Sequence, residues 1–434
     1  MRERALAALR GEMPPRLPFI TRLETWYKGH IRRGTLPERF RGLSLEELHR
    51  AVGVGRLKFS APYALKLRGV DLRVRLNGEL RLQTTDPLVE NFPGMWDFVS
   101  TEQPGVTETV LITPRGTLTL QHMLLEENVL SGTDPYLKHH LIRSPEDYAV
   151  VEYILERAEF VPLFDKIAAE GAQLGQNGLL VPLLHRIPFQ QVLLEYLGET
   201  PLFYALHDQP RQVRRLLDLL DAQLLDILPR LQALDVPYIE FPDNLHGLMT
   251  NPRLFSEFCL PVYQRYTEIL HGQGKKVGSH MDGDVRPLLA LVPQTGLDVC
   301  ESFSPAPLTS CTFAEAWQAW EYGPLIWGGI PSPILEDVTS QADFEAYMHR
   351  LFETIDRPVI LGVVDLLMVH NAIERVEAIA HWVESRAMPL PASRKLVALS
   401  GRYKKNVILS EAKDLDSSVA PLPQNDIPNK DGAR

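Results

Sequence analysis

Apolar and polar positions alternate through VDLRVRLNGELRLQTT (70–85), with Asn77-Gly78 at the centre. Period-two alternation around an Asn-Gly pair predicts a β-hairpin. A second strand pair is expected at ETVLITPRGTLTL (108–120), turning at Pro114–Gly116. Before this β-rich stretch, set at about 64–125, a short amphipathic helix precedes the apolar run LPFITRLETWY around Phe19. From about residue 144 the period changes. In SPEDYAVVEYILERA, Ser144 reads as N-cap, Pro145 as first helical residue and Asp147 as a first-turn acid. Val213, Leu216, Leu217, Leu220 and Leu224 form one helical stripe. Asn251-Pro252 opens a further helix, which Gly272 and Gly274 close. Between helices, short apolar runs recur at 179–184, 237–241, 275–280, 297–303, 324–329 and 358–364.

Strand–helix alternation of this kind implies a parallel sheet with helical crossovers. With no GxGxxG and at least six such units, the expected fold is α/β, a (β/α)8 TIM-like barrel with an N-terminal β-hairpin excursion, rather than a doubly wound sheet. The barrel domain is placed at 1–390. The polar, aperiodic end of the chain, 405–434, reads as a disordered tail.

Composition narrows the function classes. Lys plus Arg number 45 against 55 Asp plus Glu, a net charge of -10, which argues against a nucleic-acid binder. Three cysteines, Cys259, Cys300 and Cys311, make no CxxC pair and no disulfide framework, so a reducing, cytoplasmic setting is expected. The N-terminal stretch is too charged for a signal peptide, and no run reaches the roughly 18 apolar residues of a membrane span.

In a barrel the site lies at the C-terminal ends of the strands. Those ends carry Arg22, Glu24 and Tyr27; His185 and Arg186; Glu240, Asp243, Asn244 and His246; His280, Asp282 and Asp284; Glu301; Asp365 and His370. The sharpest local feature is His280-Met-Asp282. Imidazole nitrogen and carboxylate oxygen suit zinc or a similar divalent ion, with Glu301 or Asp365 as third ligand. The alternative is that Asp282 and Gly283 merely start a helix. Asp243 and Asn244 read as an N-cap and turn or as a substrate clamp, the clamp being favoured for Asp243, while Arg22 and Arg186 suit either internal carboxylates or a substrate carboxylate. His246 and His370 read as structural, Cys300 as packing, and Trp317, Trp320 and Trp327 as core.

The run from Asp243 to Pro305 resembles the uroporphyrinogen decarboxylase superfamily, which includes methyltransferases that pass methyl groups from corrinoid proteins to thiols. Asn251-Pro252, Phe255, Phe258, Pro261, His271, Gly274-Lys275 and His280 match its pattern. ITPRGTL and RSPEDYAVVEYILE resemble segments of the methyltransferase-like branch, and the resemblance covers roughly 15–385. Its departures are informative. Against the decarboxylase motif M-R-Q-A-G-R-Y, the segment Thr21–Tyr27 keeps the first arginine and the tyrosine and lacks the second arginine. Gly362-Val363-Val364 stands where that branch has G-H-G, and Leu194 stands near its P-F-T-x-x-x-Y tyrosine. Against the H-x-C and later cysteine of the zinc methyltransferases, His280 is kept, Asp282 replaces one cysteine and Val363 the other. An oxygen-rich site of His280, Asp282 and either Glu301 or Asp365 is harder and less thiophilic, and suits demethylation of an oxygen or nitrogen methyl donor, or general acid chemistry without metal, better than thiol methylation.

The resemblance thus implies an enzyme of methyl transfer or demethylation, acting on a small methylated substrate or a corrinoid-bound methyl group. His280, Asp282, Asp243, Glu24 and Asp365 are the expected catalytic residues. Arg22, Tyr27, Asn244, Glu301 and Arg186 are expected to bind substrate. The expected cofactors are a divalent metal such as zinc and a corrinoid on a partner protein; a homodimer is expected, and no membrane or nucleic-acid partner. One alternative is uroporphyrinogen or other tetrapyrrole decarboxylation, which needs no cofactor. The other is a non-catalytic partner of a corrinoid protein.

Overall fold

The computed structural model describes residues 1–364 and 366–386; Asp365 and the 405–434 segment lie outside the described residues. In chain order the strands are β1 (Ile20–Thr21), β2 (Gly55–Ser60), β3 (Tyr63–Leu67), β4 (Asp71–Leu76), β5 (Glu79–Thr85), β6 (Leu88–Val89), β7 (Gly105–Thr113), β8 (Gly116–Leu124) and β9 (Tyr136–His139). They continue with β10 (Ala158–Pro162), β11 (Gly178–Pro182), β12 (Tyr238–Phe241), β13 (Lys276–His280), β14 (Val299–Phe303), β15 (Leu325–Pro331) and β16 (Ile360–Val364).

The architecture is mixed α/β, as the alternation predicts. Eight strands are parallel, in two ladders: β1-β2-β11 and β12-β13-β14-β15-β16. The sequence predicts one continuous ladder, and its interruptions have local causes. β11 ends at Pro182, which has no N–H to donate, and only the bridge Leu183–Glu240 follows. β1 is two residues long, and its other neighbour is reached through the single bridge Phe19–Leu361.

The antiparallel strands form the excursion. β4 and β5 turn at Asn77 (φ 52°) and Gly78 (φ 86°), both left-handed, as a type I′ hairpin requires. The β-rich part runs past residue 125: β9 joins β8, and β10 pairs antiparallel with β3. Neither strand carries a clean apolar alternation, so the period gave no sign of them. The helix expected from Ser144 instead spans Asp147–Leu155, and Ser144 does not cap it. The Asp147 carboxylate accepts the backbone N–H groups of Arg143 and Ser144, both at 2.8 Å, fixing the loop before the helix.

Two apolar clusters result. One side of the parallel strands contributes Ile20, Leu57, Leu179, Val181, Tyr238, Val299, Trp327 and Ile360, on which Ala5, Ala8 and Leu9 of the helix Arg2–Leu9 pack. The opposite sides pack under the surrounding helices, where Cys300, Trp317 and Trp320 are buried. The predicted stripe helix is Pro210–Arg230, burying Val213, Leu216, Leu220 and Leu224. Among the described residues, no helix is long and apolar enough to cross a membrane.

Candidate functional site

Alternation along three adjacent strands brings the chemistry together. Tyr238 and Glu240 face one way on β12, Gly278 and His280 on β13, and Val299 and Glu301 on β14. The register sets Glu240 beside Gly278 and His280 beside Glu301. Ligand-capable atoms of Glu240, His280 and Glu301 all lie within 4.8 Å of one another. His280 Nδ1 is hydrogen-bonded to Glu301 Oε2 and stands 4.0 Å from Glu240 Oε1. Tyr238 donates its hydroxyl to Glu240 Oε2 at 2.8 Å. Gly278 makes this possible, because a Cβ there would sit 1.9 Å from the Tyr238 hydroxyl oxygen. Glu240 Oε1 is buried with no hydrogen-bond partner among the described residues, a costly condition for a carboxylate oxygen.

The electrostatics follow from burial. Desolvation, reinforced by Glu301, pushes Glu240 well above the usual carboxylate range. Burial works against a charged His280, but Glu301 and Asp282 outweigh it and raise its pKa to about 10. Desolvation likewise opposes ionised Asp282, yet His280 and Asn244 hold its pKa below the ordinary value.

Behind Asp282 stands a chain of positioning groups. Asn244 Nδ2 donates to Asp282 Oδ2 at 2.8 Å, and Arg186 Nη1 donates to Asn244 Oδ1 at 2.6 Å. Arg186 Nε donates to Glu195 Oε1 at 3.0 Å. Asn244 has φ 49°, in the left-handed region that Asn tolerates best among non-glycine residues. Asp282 Oδ2 lies 3.7 Å from His280 Nε2. Beyond Glu301, Ser302 has φ 59° where the β14–β15 register slips between Cys300 and Phe303. Such a bulge re-aims the strand next to the cluster.

The sequence-predicted residues divide accordingly. His280, Glu301, Asp282, Asn244 and Arg186 come together. Asp243 is fully buried behind them: its carboxylate accepts from Ile187 N (2.8 Å), the Tyr263 hydroxyl (2.5 Å) and Ser279 Oγ (3.1 Å). That saturated carboxylate pins the loop after β12. Glu24 does not join the cluster; it is ion-paired with Arg56 Nε at 3.1 Å. Tyr27 donates to Leu43 O and lines a groove of about 560 Å³ whose walls include none of the cluster. Arg22 lies over the Phe59 ring at 5.6 Å. His185 Nε2 donates to Glu90 O at 3.2 Å, and burial lowers its pKa to about 4.

Glu240 is the residue the sequence reading passed over as a ligand. Its sign was an acid inside an apolar strand, between Ile239 and Phe241, where only a partnered carboxylate is tolerated. The donor set, one imidazole nitrogen and two carboxylate oxygens, fits zinc or another divalent ion of intermediate hardness. No cysteine belongs to it among the described residues: Cys300 adjoins Glu301 but packs in the opposite cluster.

No family profile matches the sequence, and no curated protein does. Among solved structures the chain is similar to a methyltransferase from Methanosarcina mazei, at TM-score 0.51 and 12% identity, over 88% of this chain and 98% of that one. At that identity the likeness speaks to the fold alone. A structure of the pneumococcal virulence factor StrH aligns over 88% of this chain and 85% of that one, with TM-score 0.34 and 9% identity, too weak to carry an argument.

Proposed function

We propose that this chain is a methyltransferase-like enzyme of the uroporphyrinogen decarboxylase superfamily, acting on a small methylated substrate or a methyl group carried by a corrinoid protein. In this reading the parallel strands form a (β/α)8 barrel with the site at their C-terminal ends. Its supports are the Leu183–Glu240 and Phe19–Leu361 bridges, which link the two ladders at both margins, and the methyltransferase neighbour. The observation that carries the functional reading is the convergence of Glu240, His280 and Glu301 from three consecutive strands.

Glu240, His280 and Glu301 would hold a divalent cation, with Asp282 alongside. Such an ion supplies Lewis-acid polarisation of the heteroatom that gives or takes the methyl group. The protein's own groups do the rest. Glu301 orients the His280 ring, and Tyr238 fixes Glu240 through one oxygen while leaving the other open. Asn244, gripped by Arg186, holds Asp282 against rotation. The apolar residues beneath exclude water and strengthen every charge interaction in the cluster.

Elemental analysis of the purified protein tests the reading, with His280→Ala and Glu240→Gln as comparators. About one equivalent of divalent metal is expected in the wild type, with loss in both variants. The loaded protein should then demethylate an O- or N-methyl donor in the presence of a corrinoid protein. A folded wild-type protein that neither carries nor takes up zinc would overturn it.

A further inference from the structure

A second concavity lies where β9 and the loop after it meet the helix Glu199–Asp208 and its flanks. Its volume is about 420 Å³, within the range of about 300–1,000 Å³ typical of small-molecule sites. Lys138, His139, His140 and Arg143 line it, with a single acid, Asp208. Asp208 is engaged by His207 Nδ1 at 2.7 Å. Asp147, four residues after Arg143, is taken up by the backbone N–H groups of Arg143 and Ser144, and neither Glu146 nor Glu199 lines the pocket. Neither the Lys138 ammonium nor the Arg143 guanidinium makes an ion pair among the described residues. In a chain of net charge -10, the pocket thus brings two such cations and two histidines together against one acid.

The remaining wall is apolar and partly preformed. Ile142, Leu197 and Pro201 line it together with Tyr204, an aromatic residue left 68% exposed. Tyr148 lines it too, only 4% exposed. The His140 ring is fixed through Nε2 on Leu194 O at 3.2 Å and by Gly198 on another edge, where an added Cβ would come within 2.8 Å of Cε1.

We propose that this pocket binds a small organic oxyanion, a carboxylate or a phosphate ester on a flat apolar body. The head is held by Lys138 and Arg143, and the body lies against Leu197, Pro201 and Tyr204. The site shares no residue with the Glu240–His280–Glu301 cluster and stands independently of the function proposed for it.

Titration calorimetry on the full chain tests this with phenyl phosphate, benzoate and the uncharged benzyl alcohol. Saturable binding of one anion is expected, weakened by salt and absent for benzyl alcohol. Preference for phenyl phosphate or for benzoate identifies the head group. The Lys138→Ala, Arg143→Ala double variant removes two exposed side chains and should weaken binding about tenfold or more, the scale of hydrogen bonds to charged groups. His280→Ala should leave it unchanged, which separates this pocket from the central cluster. Binding of neither anion, equal binding of benzyl alcohol, or full affinity in the double variant would overturn the proposal.

Discussion

Replacing Gly278 by alanine tests how the candidate site is built, because the structure fixes what the new methyl group meets. The added Cβ would lie 1.9 Å from the Tyr238 hydroxyl oxygen, 2.7 Å from Cζ and 2.9 Å from Cε2. Gly278 is not at positive φ, so the conflict is one of space and not of backbone strain. The Tyr238 ring must move, yet it is fully buried with its centroid 6.2 Å from that of Trp327. Overpacking of this kind costs about 1–3 kcal/mol. Displacing the hydroxyl also strips Glu240 Oε2 of the side-chain donor it has among the described residues, adding about 1–2 kcal/mol for a buried acceptor left unpaired. The total, about 2–5 kcal/mol, is a large part of the stability of an ordinary protein. A chain of this size has an unfolding entropy of about 0.8 kcal/mol/K, so the expected fall in Tm is about 3–6 °C. Differential scanning calorimetry measures it. Tyr238→Phe removes the hydroxyl that the methyl group strikes, so the double variant should cost less than the sum of the singles. A Gly278→Ala protein with unchanged Tm, or strict additivity with Tyr238→Phe, would refute the reasoning.

Three further outcomes are expected. His122 and His185 have their pKa values lowered to about 4 by burial, so between about 4 and 6.5 the unfolded chain binds protons that the folded one does not. Stability should therefore rise with pH through that window and be lost on acidification, by about 1.4 kcal/mol per pH unit for each histidine. Because His122 is buried and neither of its ring nitrogens makes a well-formed hydrogen bond among the described residues, His122→Leu should fold and flatten the slope of Tm against pH; an unchanged slope would count against a neutral His122. Asn244→Ala should lower divalent-metal affinity about 10–100-fold, the usual loss for a group that orients a ligand's neighbour, while Asn244→Gly relieves the backbone and loses the same affinity; calorimetric zinc titration separates the two effects. Ser44 caps the helix Leu45–Val52 in a reciprocal arrangement with Glu47, so Ser44→Ala should cost about 1 kcal/mol, read as a shift in thermal midpoint.

Much of the scaffold was legible because period and turn chemistry act locally. Six apolar runs became β11 to β16, and Asn77-Gly78 became a hairpin turn, since both depend on neighbours in sequence. The Asn251 cap is equally local, accepting from Arg253 and Leu254 N–H groups at 3.1 Å. His280, Asp282 and Glu301 were found because polar residues at strand ends are expensive unless used. Asp243 looked like a clamp for the same reason; its saturation by Tyr263 and Ser279 depends on a helix and a strand that no local pattern joins to it. Glu240 was passed over because its value lies in register: only the pairing with Gly278 places it beside His280. Tyr27 and Glu24 were chosen by position on the first strand's end, but the chain turns into the helix Glu24–Arg33 there and directs them to Leu43 and Arg56.

The helix Arg2–Leu9 gives the strand assembly a floor. Ala5, Ala8 and Leu9 press on the same apolar cluster as Tyr238, Val299 and Trp327, and Arg4 is tied to Glu384 of the helix Ile373–Ser385. In the barrel proposed above, a cluster standing on such a floor would sit in a well with one mouth and not in a tunnel. Whatever enters must leave by the same opening, so two reactants cannot pass through in single file. A reaction that takes a group from one molecule and gives it to another then has two courses: both reactants share the mouth, or the first departs before the second arrives. Initial-rate kinetics distinguish them as intersecting or parallel reciprocal plots.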